Sequence, residues 1–565
     1  MSVSAVSKSQ IGDLFSRSRT WRGIFFVTIL LRTYFSISNS YIHPDEHFQG
    51  PEAVADKVFG WATQKSWEFT SDHPARSYLS LWTVYGIPMS FLEAIFAETR
   101  GPGLDPLTIF YALRIIFALG TWVLCDMAID RLSNTKQDRI KGLLFVASSY
   151  VTWTFQSHTF SNSLETVLLL WCLVIIYEFK HSRSTPLGRH FDSGLLGFLM
   201  MFGVFNRITF PAYLVIPSFW LLDHFKKYPL TLLTFCIAAA VTATGAVSLD
   251  TVLYGKDSYV IAPLNSVLYN MDTSNLSVHG LHSRLHHITV NLPELLGPGM
   301  VFLFSKKYIK TLPFLSAVSG ILILSLIPHQ EARFLIPAIP LLCWSFDTSR
   351  FPPKLLKVLL VLWFVFNLVM GVIMGTFHQG GVVASQSYIG KNLVKGANTV
   401  VWWKTYSPPI WLLGKPSNTV DVVSPLPQGT DDSERYEPVY AYLQSDYYKS
   451  RESLNSNSTA TVTIVDLMGA DTDILKDTLD SVSHVSSTST TLRRAFLVSP
   501  IAAFDNNPTL KSLEAKSSIK TNTKSGTYRL TKIWSTMSHL SLESVDASNF
   551  STLKPGLAIW EIQTL

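Results

Sequence analysis

Residues 21–49 read WRGIFFVTILLRTYFSISNSYIHPDEHFQ. The first part of this stretch, residues 21–40, is mainly apolar and close to the ~20 residues that a helix needs to cross a bilayer. His43, Asp45, Glu46 and His47 follow directly, where that helix would leave the membrane. Ionisable groups beside lipid cost free energy and tend to mark function. The stretch therefore predicts a membrane protein with a polar site at its first membrane exit.

The composition indicates a polytopic membrane protein. Of the 565 residues, 47% are hydrophobic and only 15% are charged, whereas globular domains carry about 25% charged residues. The formal net charge of +6 is spread over short loops rather than one basic face, which argues against a nucleic-acid partner. Cys125, Cys172, Cys236 and Cys343 lie inside apolar segments, so neither a disulfide framework nor a cysteine-ligated metal site is predicted.

Apolar stretches recur through the first two thirds of the chain. Residues 194–222 are long and contain Asn206 and Arg207, so we interpret them as two short crossings around that polar pair. Residues 78–97 are apolar enough to cross, but a span there would put the next basic loop in the lumen, so we predict a re-entrant or interfacial helix. The total is about 11 spans, from the stretches 21–40, 107–130, 142–157, 163–179, 194–222, 229–253, 292–304, 311–328, 334–346 and 355–377.

The basic loops predict the orientation. Lys8, Arg17, Arg19 and Arg22 precede the first span, and positively charged loops stay cytoplasmic. Residues from 43 onward are then lumenal. The polar segments share that lumenal face: 43–49, 157–163, 206–207, 254–291 and 329–333.

The chain changes character after about residue 378. Ser, Thr, Asp and Asn become frequent, and short β-type runs alternate with turns, which predicts a small lumenal α/β domain. We divide the chain into a cytosolic segment 1–20, a transmembrane catalytic module 21–377 with a lumenal loop 41–106, and a lumenal domain 378–565. The predicted strands are 399–403, 461–465, 494–498 and 557–562, and the predicted glycosylation sites are Asn275, Asn457 and Asn549.

Asp45 and Glu46 are candidates for acid–base chemistry. A carboxylate near lipid can act as a base toward a sugar hydroxyl, because burial favours its protonated form. The alternative is structural, since acidic residues after Pro44 favour the first turn of a helix. Adjacent residues cannot face the same way on a helix, so we expect one acid to catalyse and the other to hold structure.

The flanking residues are candidates for contacts with substrate. His43 and His47 are four residues apart, a spacing that would allow a metal pair on a helix, but no third ligand is evident. We therefore assign both, with Gln49, to substrate binding and predict no metal. Trp61 and Trp67 follow in the same loop and could stack on sugar rings, although aromatic residues are also common membrane-interface anchors.

A second polar motif lies between two later apolar stretches. His329, Glu331 and Arg333 supply hydrogen-bonding groups, an anion and a cation, and Arg333 could bind a phosphate bidentately while Glu331 orients it. An ion pair that stabilises helix packing is the alternative. Arg207 is a further candidate for phosphate, and the polar turn at 161–165 is interpreted as structural.

Four segments together resemble a known family. They are HPDEHFQ at 43–49, FSNSLET at 160–166, NRITF at 206–210 and HQEARFL at 329–335. In order and spacing the chain is similar to the polytopic endoplasmic-reticulum mannosyltransferases of glycosyltransferase family 22, which have the GT-C fold and use dolichyl-phosphate mannose. The HPDEHFQ form is most similar to the branch that adds the fourth, side-branch mannose to the GPI-anchor precursor.

This resemblance implies roles for the motifs. Asp45 is the catalytic residue with Glu46 beside it, and the donor phosphate lies near His329, Glu331 and Arg333. A β-linked donor and an α-1,2 product imply inversion, with one base, no covalent intermediate and no cofactor or metal. The implied partners are dolichyl-phosphate mannose, the GPI glycolipid precursor and the lipid bilayer.

Two alternatives remain at this stage. Many spans with buried Arg and Glu also describe a lipid or solute transporter, although the polar motifs gather on one face and no internal repeat is evident. Within the family, the acceptor could instead be the substrate of the third GPI mannose or an N-glycan precursor.

Overall fold

The computed structural model of the chain divides into two compact units. One comprises residues 1–37, 66–88 and 111–371, and the other comprises 38–65, 89–110 and 372–565. We call them the helical unit and the sheet unit. The residues that the structure describes are 20–97, 104–181, 185–272, 274–275, 280–303, 305–392, 397–426, 432–450, 461–488, 494–514 and 528–564.

Long apolar helices dominate the helical unit, as the composition predicts. Among the described residues of the whole chain, five helices are long and apolar enough to cross a membrane: Tyr78–Phe96, Pro106–Arg131, Ser161–His181, Pro229–Tyr254 and Pro353–Phe377. The predicted total of 11 spans therefore stays a prediction. The other main helices of this unit are Thr20–Ser36, Lys136–Ala147, Pro186–Asn206, Val215–Lys227, Ala262–Met271, Leu312–Leu324 and Ala338–Trp344.

Two local expectations can be compared with these helices. The helix Pro186–Asn206 ends at the predicted polar pair, and a new helix begins at Val215 after a short 3-10 turn. The predicted interruption at Asn206 and Arg207 is confirmed. Residues 78–96, by contrast, form one helical run of 19 residues that passes through a π-helical turn at Trp82–Gly86. A helix of this length and composition can cross a membrane, but length and composition alone do not show whether it does. The predicted re-entrant helix therefore stays a prediction.

Small residues allow close helix packing in this unit. A Cβ atom added at Gly197 would come within 2.3 Å of the carbonyl oxygen of Phe235, on the helix Pro229–Tyr254. Only a residue without a side chain permits that approach of two backbones, which is common where helices pack in membranes. Asp250 of the same helix accepts hydrogen bonds from the Ser77 hydroxyl, at 3.1 Å, and from the Tyr78 N–H, at 2.7 Å. It thereby fixes the start of the helix at Tyr78.

The described residues of the sheet unit form one six-stranded sheet. Its strands are β1 (Ala397–Trp402), β2 (Val420–Val423), β3 (Thr461–Asp466), β4 (Arg494–Pro500), β5 (Tyr528–Thr536) and β6 (Leu557–Thr564). The spatial order is β2-β3-β1-β4-β6-β5. Strands β1 to β4 run parallel to one another, and β6 runs antiparallel to both of its neighbours, β4 and β5. The predicted α/β fold of the C-terminal region is confirmed, and β1, β3, β4 and β6 lie where the β-type runs predict them.

Helices cover both faces of this sheet. One face packs against Thr472–Thr488, Ile501–Asp505 and Glu437–Gln444. The other packs against Gly380–Asn392, the 3-10 turn Ile410–Leu413 and two residues from the N-terminal part of the chain, Tyr41 and Ala62. The Ala62 N–H also donates to the Lys415 carbonyl at 2.8 Å. Residues 38–65, placed by the sequence in a loop of the transmembrane module, thus belong with the sheet.

Candidate functional site

The predicted site residues fall into two clusters, one in each unit. His43, Asp45, Glu46, His47 and Gln49 lie in the sheet unit, and we call them the acid cluster. The motif at 329–333 lies in the helical unit together with Arg207, and we call these residues the arginine cluster.

The two acids of the acid cluster differ in environment. Pro44 begins the short helix Asp45–Phe48, which places both carboxylates in its first turn without a side-chain cap. Glu46 is fully buried, and its Oε2 accepts the Ile42 N–H at 3.3 Å. The Asp45 side chain is 19% exposed, and its Oδ1 lies 3.8 Å from Nδ1 of His43. Glu46 therefore holds the loop backbone, whereas Asp45 can meet a ligand.

His47 is a core residue of the sheet unit. It is fully buried, and its Nδ1 accepts a hydrogen bond from the Trp411 indole at 3.3 Å. The Tyr41 ring packs edge-on against the imidazole at 4.8 Å. A nitrogen that accepts carries no proton, so His47 is neutral and protonated on Nε2. Gln49 is also buried, and among the described residues no group of three His, Cys, Asp or Glu is arranged to hold a metal ion.

Glu52 is a buried carboxyl that sequence reasoning missed. Its Oε1 accepts the Gln64 N–H at 2.7 Å, and its Oε2 accepts the Trp411 N–H at 3.4 Å. Burial raises the pKa of Glu52 to about 8, although these backbone hydrogen bonds lower it. Glu52 joins the helix Glu52–Phe59 to the 410–413 turn, and so fixes the segment that follows the acid cluster. An acidic residue after Pro51, at the start of an amphipathic helix, was the only sequence signal.

The C-terminal domain contributes a polar wall to the acid cluster. The Tyr406 ring lies 5.4 Å from that of Tyr41 and 6.5 Å from the His43 imidazole. Its hydroxyl donates to the Glu543 carboxylate and lies 3.3 Å from Nε2 of His378. No local sequence pattern pointed to Tyr406 or Glu543, because their contacts join segments that are far apart in the sequence, 137 residues in the case of Tyr406 and Glu543.

The arginine cluster contains a tight triad from one short motif. Nε2 of His329 lies 2.7 Å from Oε1 of Glu331, and Arg333 donates to both oxygens of the same carboxylate, through Nε and, at 3.0 Å, through Nη2. Burial by itself lowers the pKa of His329, but its pairing with Glu331 outweighs this and raises the pKa above the usual value. The result is two potential cations on one carboxylate, a local excess of positive charge.

Arg207 lies beside this triad. The guanidinium carbons of Arg207 and Arg333 are each 5.5 Å from the centroid of the Phe334 ring. Arg207 also donates to the Ser161 hydroxyl at 2.8 Å and pairs with the fully buried Glu165 at 3.4 Å. The structure thus brings together three segments, 161–165, 206–207 and 329–334. Glu165, which the sequence assigns only to a structural turn, is the buried counter-ion of Arg207.

The remaining predicted residues lie apart from these contacts. Trp67 stacks on Tyr269 at 4.0 Å in the helical unit, whereas Trp61 stacks on Phe59 at 4.3 Å in the sheet unit. The two tryptophans, expected in one loop, therefore belong to different units.

The glycosylation and orientation predictions involve other residues. Asn549 is exposed and Asn275 is half-buried, while Asn457 lies outside the described residues. Lys8, Arg17 and Arg19, on which the predicted orientation depends, also lie outside them. Glycosylation and orientation stay predictions.

The chain is similar to known proteins in sequence and in fold. The model of the Alg9-like mannosyltransferase family matches residues 23–414. The chain is 40% identical to GPI mannosyltransferase 4 of Yarrowia lipolytica, over 96% of this chain and 99% of that protein. It is 34% identical to GPI mannosyltransferase 4 of Saccharomyces cerevisiae, over 93% and 96%. The crystal structure of ArnT from Cupriavidus metallidurans bound to undecaprenyl phosphate covers 86% of this chain and 94% of its own, with 11% identity and a TM-score of 0.50, which shows a shared GT-C fold.

Proposed function

Because the chain belongs to the Alg9-like mannosyltransferase family, we propose that it transfers mannose from dolichyl-phosphate mannose to the third mannose of the GPI-anchor precursor. The product is the fourth, side-branch mannose in α-1,2 linkage. The observation that carries this proposal is the 40% identity to a GPI mannosyltransferase 4 along almost the full length of both chains. The site is proposed to face the lumen of the endoplasmic reticulum.

Asp45 is the proposed base. The acceptor's 2-hydroxyl gives its proton to the Asp45 carboxylate as its oxygen attacks the anomeric carbon of the donor. The bond from that carbon to the phosphate oxygen breaks, and dolichyl phosphate leaves with the electron pair. Attack from the face opposite the leaving group inverts the β-linked donor to an α-linked product. The partial exposure of Asp45 and the complete burial of Glu46 support this division of roles.

The arginine cluster is the proposed site of the donor phosphate. A guanidinium carries five N–H donors, so Arg333 can hold Glu331 and a phosphate together. Positive charge placed where the leaving phosphate gains negative charge lowers the barrier. His329 supports this role, because its raised pKa favours the imidazolium form. A phosphate is already a good leaving group, so no general acid is needed.

Mass spectrometry of GPI precursors in cells depleted of this protein tests the acceptor. Accumulation of a three-mannose precursor would support the proposal. A two-mannose precursor, or a truncated dolichol-linked N-glycan, would keep the chain in its family and reject the proposed acceptor. Transfer by purified protein from dolichyl-phosphate mannose to a three-mannose glycolipid is the matching test in vitro.

A further inference from the structure

The parallel part of the sheet contains a topological switch point. The chain leaves β1 toward the face that carries the Ile410–Leu413 turn, and it leaves β4 toward the opposite face, which carries the helix Ile501–Asp505. β1 and β4 are neighbours, so their outgoing connections separate. In doubly wound sheets, ligands bind in the crevice at the carboxyl ends of two such strands.

A cleft of about 180 Å³ lies at this position. Trp403 and Lys404 line it directly after β1, and Pro500 and Ala502 line it at the end of β4. Residues 539–541 and Ser544 line one side. Clefts that hold drug-sized ligands measure about 300–1,000 Å³, so this one suits a single small group. None of the acid cluster residues lines it.

The lining of the cleft is positively charged. Lys404 and Lys554 contribute ammonium groups, and among the described lining residues none is Asp or Glu. Lys554 also pairs with Asp505, whereas Nζ of Lys404 lies 5.0 Å from the Trp403 ring. Amide and hydroxyl groups complete the surface: Thr472, Asn506, Asn507, Ser541, Ser544 and Thr552. This combination of cations and neutral hydrogen-bonding groups favours an oxyanion.

His539 joins the lining of the cleft to the backbone at 379–381. It lines the cleft and is fully buried, and its Nδ1 accepts the Gly381 N–H at 3.3 Å. Its ring also hydrogen-bonds the Gln379 backbone, and its Nε2 is enclosed by protein atoms. His539 therefore fixes residues 379–381 beside the cleft.

Hydrogen bonds connect the lining of the cleft to the acid cluster. Ser541 accepts a hydrogen bond from Nε2 of Gln379 at 3.3 Å, and Oε1 of Gln379 accepts the Tyr406 N–H at 3.3 Å. Tyr406 in turn faces His43. A group bound in the cleft and a hydroxyl at Asp45 would thus border the same segments of the sheet unit.

From these contacts we propose that the cleft binds a phosphate ester carried by the acceptor glycolipid. This inference rests on the proposed function, because it assumes that Asp45 acts on the acceptor. Lys404 and the amide of Asn507 would contact the phosphate oxygens. The subsite would favour acceptors that carry the ester over acceptors that do not.

The test compares two forms of one acceptor, with and without its phosphate ester, in transfer assays with purified full-length protein. For the wild type, KM should be lower for the phosphate-bearing form. Lys404→Gln should raise that KM roughly tenfold, the effect of losing one charge-assisted hydrogen bond, and leave the KM of the other form unchanged. Lys404→Arg should restore binding, and Lys532→Gln, an exposed charge removed from β5 outside the cleft, should have no effect.

Each outcome separates the two proposals. Absence of transfer to both acceptors by the wild type would reject the proposed function itself. Transfer to both with equal KM, or an equal loss for both in Lys404→Gln, would reject the subsite alone. A higher KM for the sugar donor instead of the acceptor would also reject it. Of the two acceptor forms, inorganic phosphate should compete only with the phosphate-bearing one, and competition with neither form would contradict the proposal.

Discussion

Arg207 and Arg333 lie against one aromatic ring, each 5.5 Å from the centroid of Phe334. They come from segments more than a hundred residues apart, and each has its own carboxylate, Glu165 and Glu331. Cations that approach each other repel unless anions surround them. The two carboxylates, one beside each cation, offset such repulsion, and the phosphate of a sugar donor would offset it further.

Arg333→Lys should therefore weaken use of the sugar donor. The substitution keeps one positive charge but removes the planar fork that contacts Glu331 and a phosphate together. We expect the KM for the donor to rise roughly tenfold, with a smaller change for the acceptor. Steady-state kinetics with each substrate varied separately measures both values.

Arg131→Lys is the matched control. Arg131 also pairs with a carboxylate, Glu178, at 2.8 Å, but the pair is largely exposed and lies outside the arginine cluster. Its kinetics should match the wild type, because exposed pairs contribute little. Equal rises in both KM values for Arg333→Lys would instead indicate that Arg333 only stabilises packing.

Asp45→Asn and Glu46→Gln should separate catalysis from structure. If Asp45 is the base, Asp45→Asn should lower kcat by about 10²–10⁴-fold with little loss of folded protein. Glu46→Gln should mainly lower thermal stability, because Glu46 is buried against the Ile42 backbone. Asp56→Asn, which removes a carboxylate paired with Lys65 at 2.6 Å, should leave kcat unchanged. Normal turnover by Asp45→Asn would end its assignment as the base.

Features that depend on the local sequence were predicted correctly, whereas contacts between distant segments were not. β1 and β3 were located because runs rich in Val, Ile and Thr favour strands locally, and the helix end at Asn206 was located because a polar pair interrupts an apolar run. The pairing of Glu165 with Arg207 and the contact of Tyr406 with His43 were not predicted. Both depend on tertiary packing between distant segments, which leaves no periodic pattern in either one.

Tyr406→Phe tests whether the polar wall positions the acid cluster. The substitution keeps the ring beside His43 and removes the hydroxyl that contacts Glu543 and His378. We expect a several-fold lower kcat/KM, and a similar loss in Glu543→Gln. The double variant should lose little more, because groups in one network are not additive and couple by about 0.5–3 kcal/mol.

Tyr442→Phe is the control for this cycle. Tyr442 also donates its hydroxyl to a carboxylate of the sheet unit, that of Asp421, at 2.6 Å. It should leave kcat/KM unchanged. Strictly additive losses for Tyr406→Phe and Glu543→Gln would show that the two residues act independently.

Glu52 should make the stability of the protein depend on pH. Its pKa is about 8 in the folded protein and near 4.5 when unfolded, so between these values the folded state binds more protons. Stability contributed by this proton is complete below about pH 4.5 and is lost as the pH rises through 8. Thermal unfolding in detergent should therefore show a midpoint that falls from pH 5 to pH 8.5, and the fall should be smaller in Glu52→Gln, which cannot titrate. Parallel curves for the two proteins would contradict a raised pKa at Glu52.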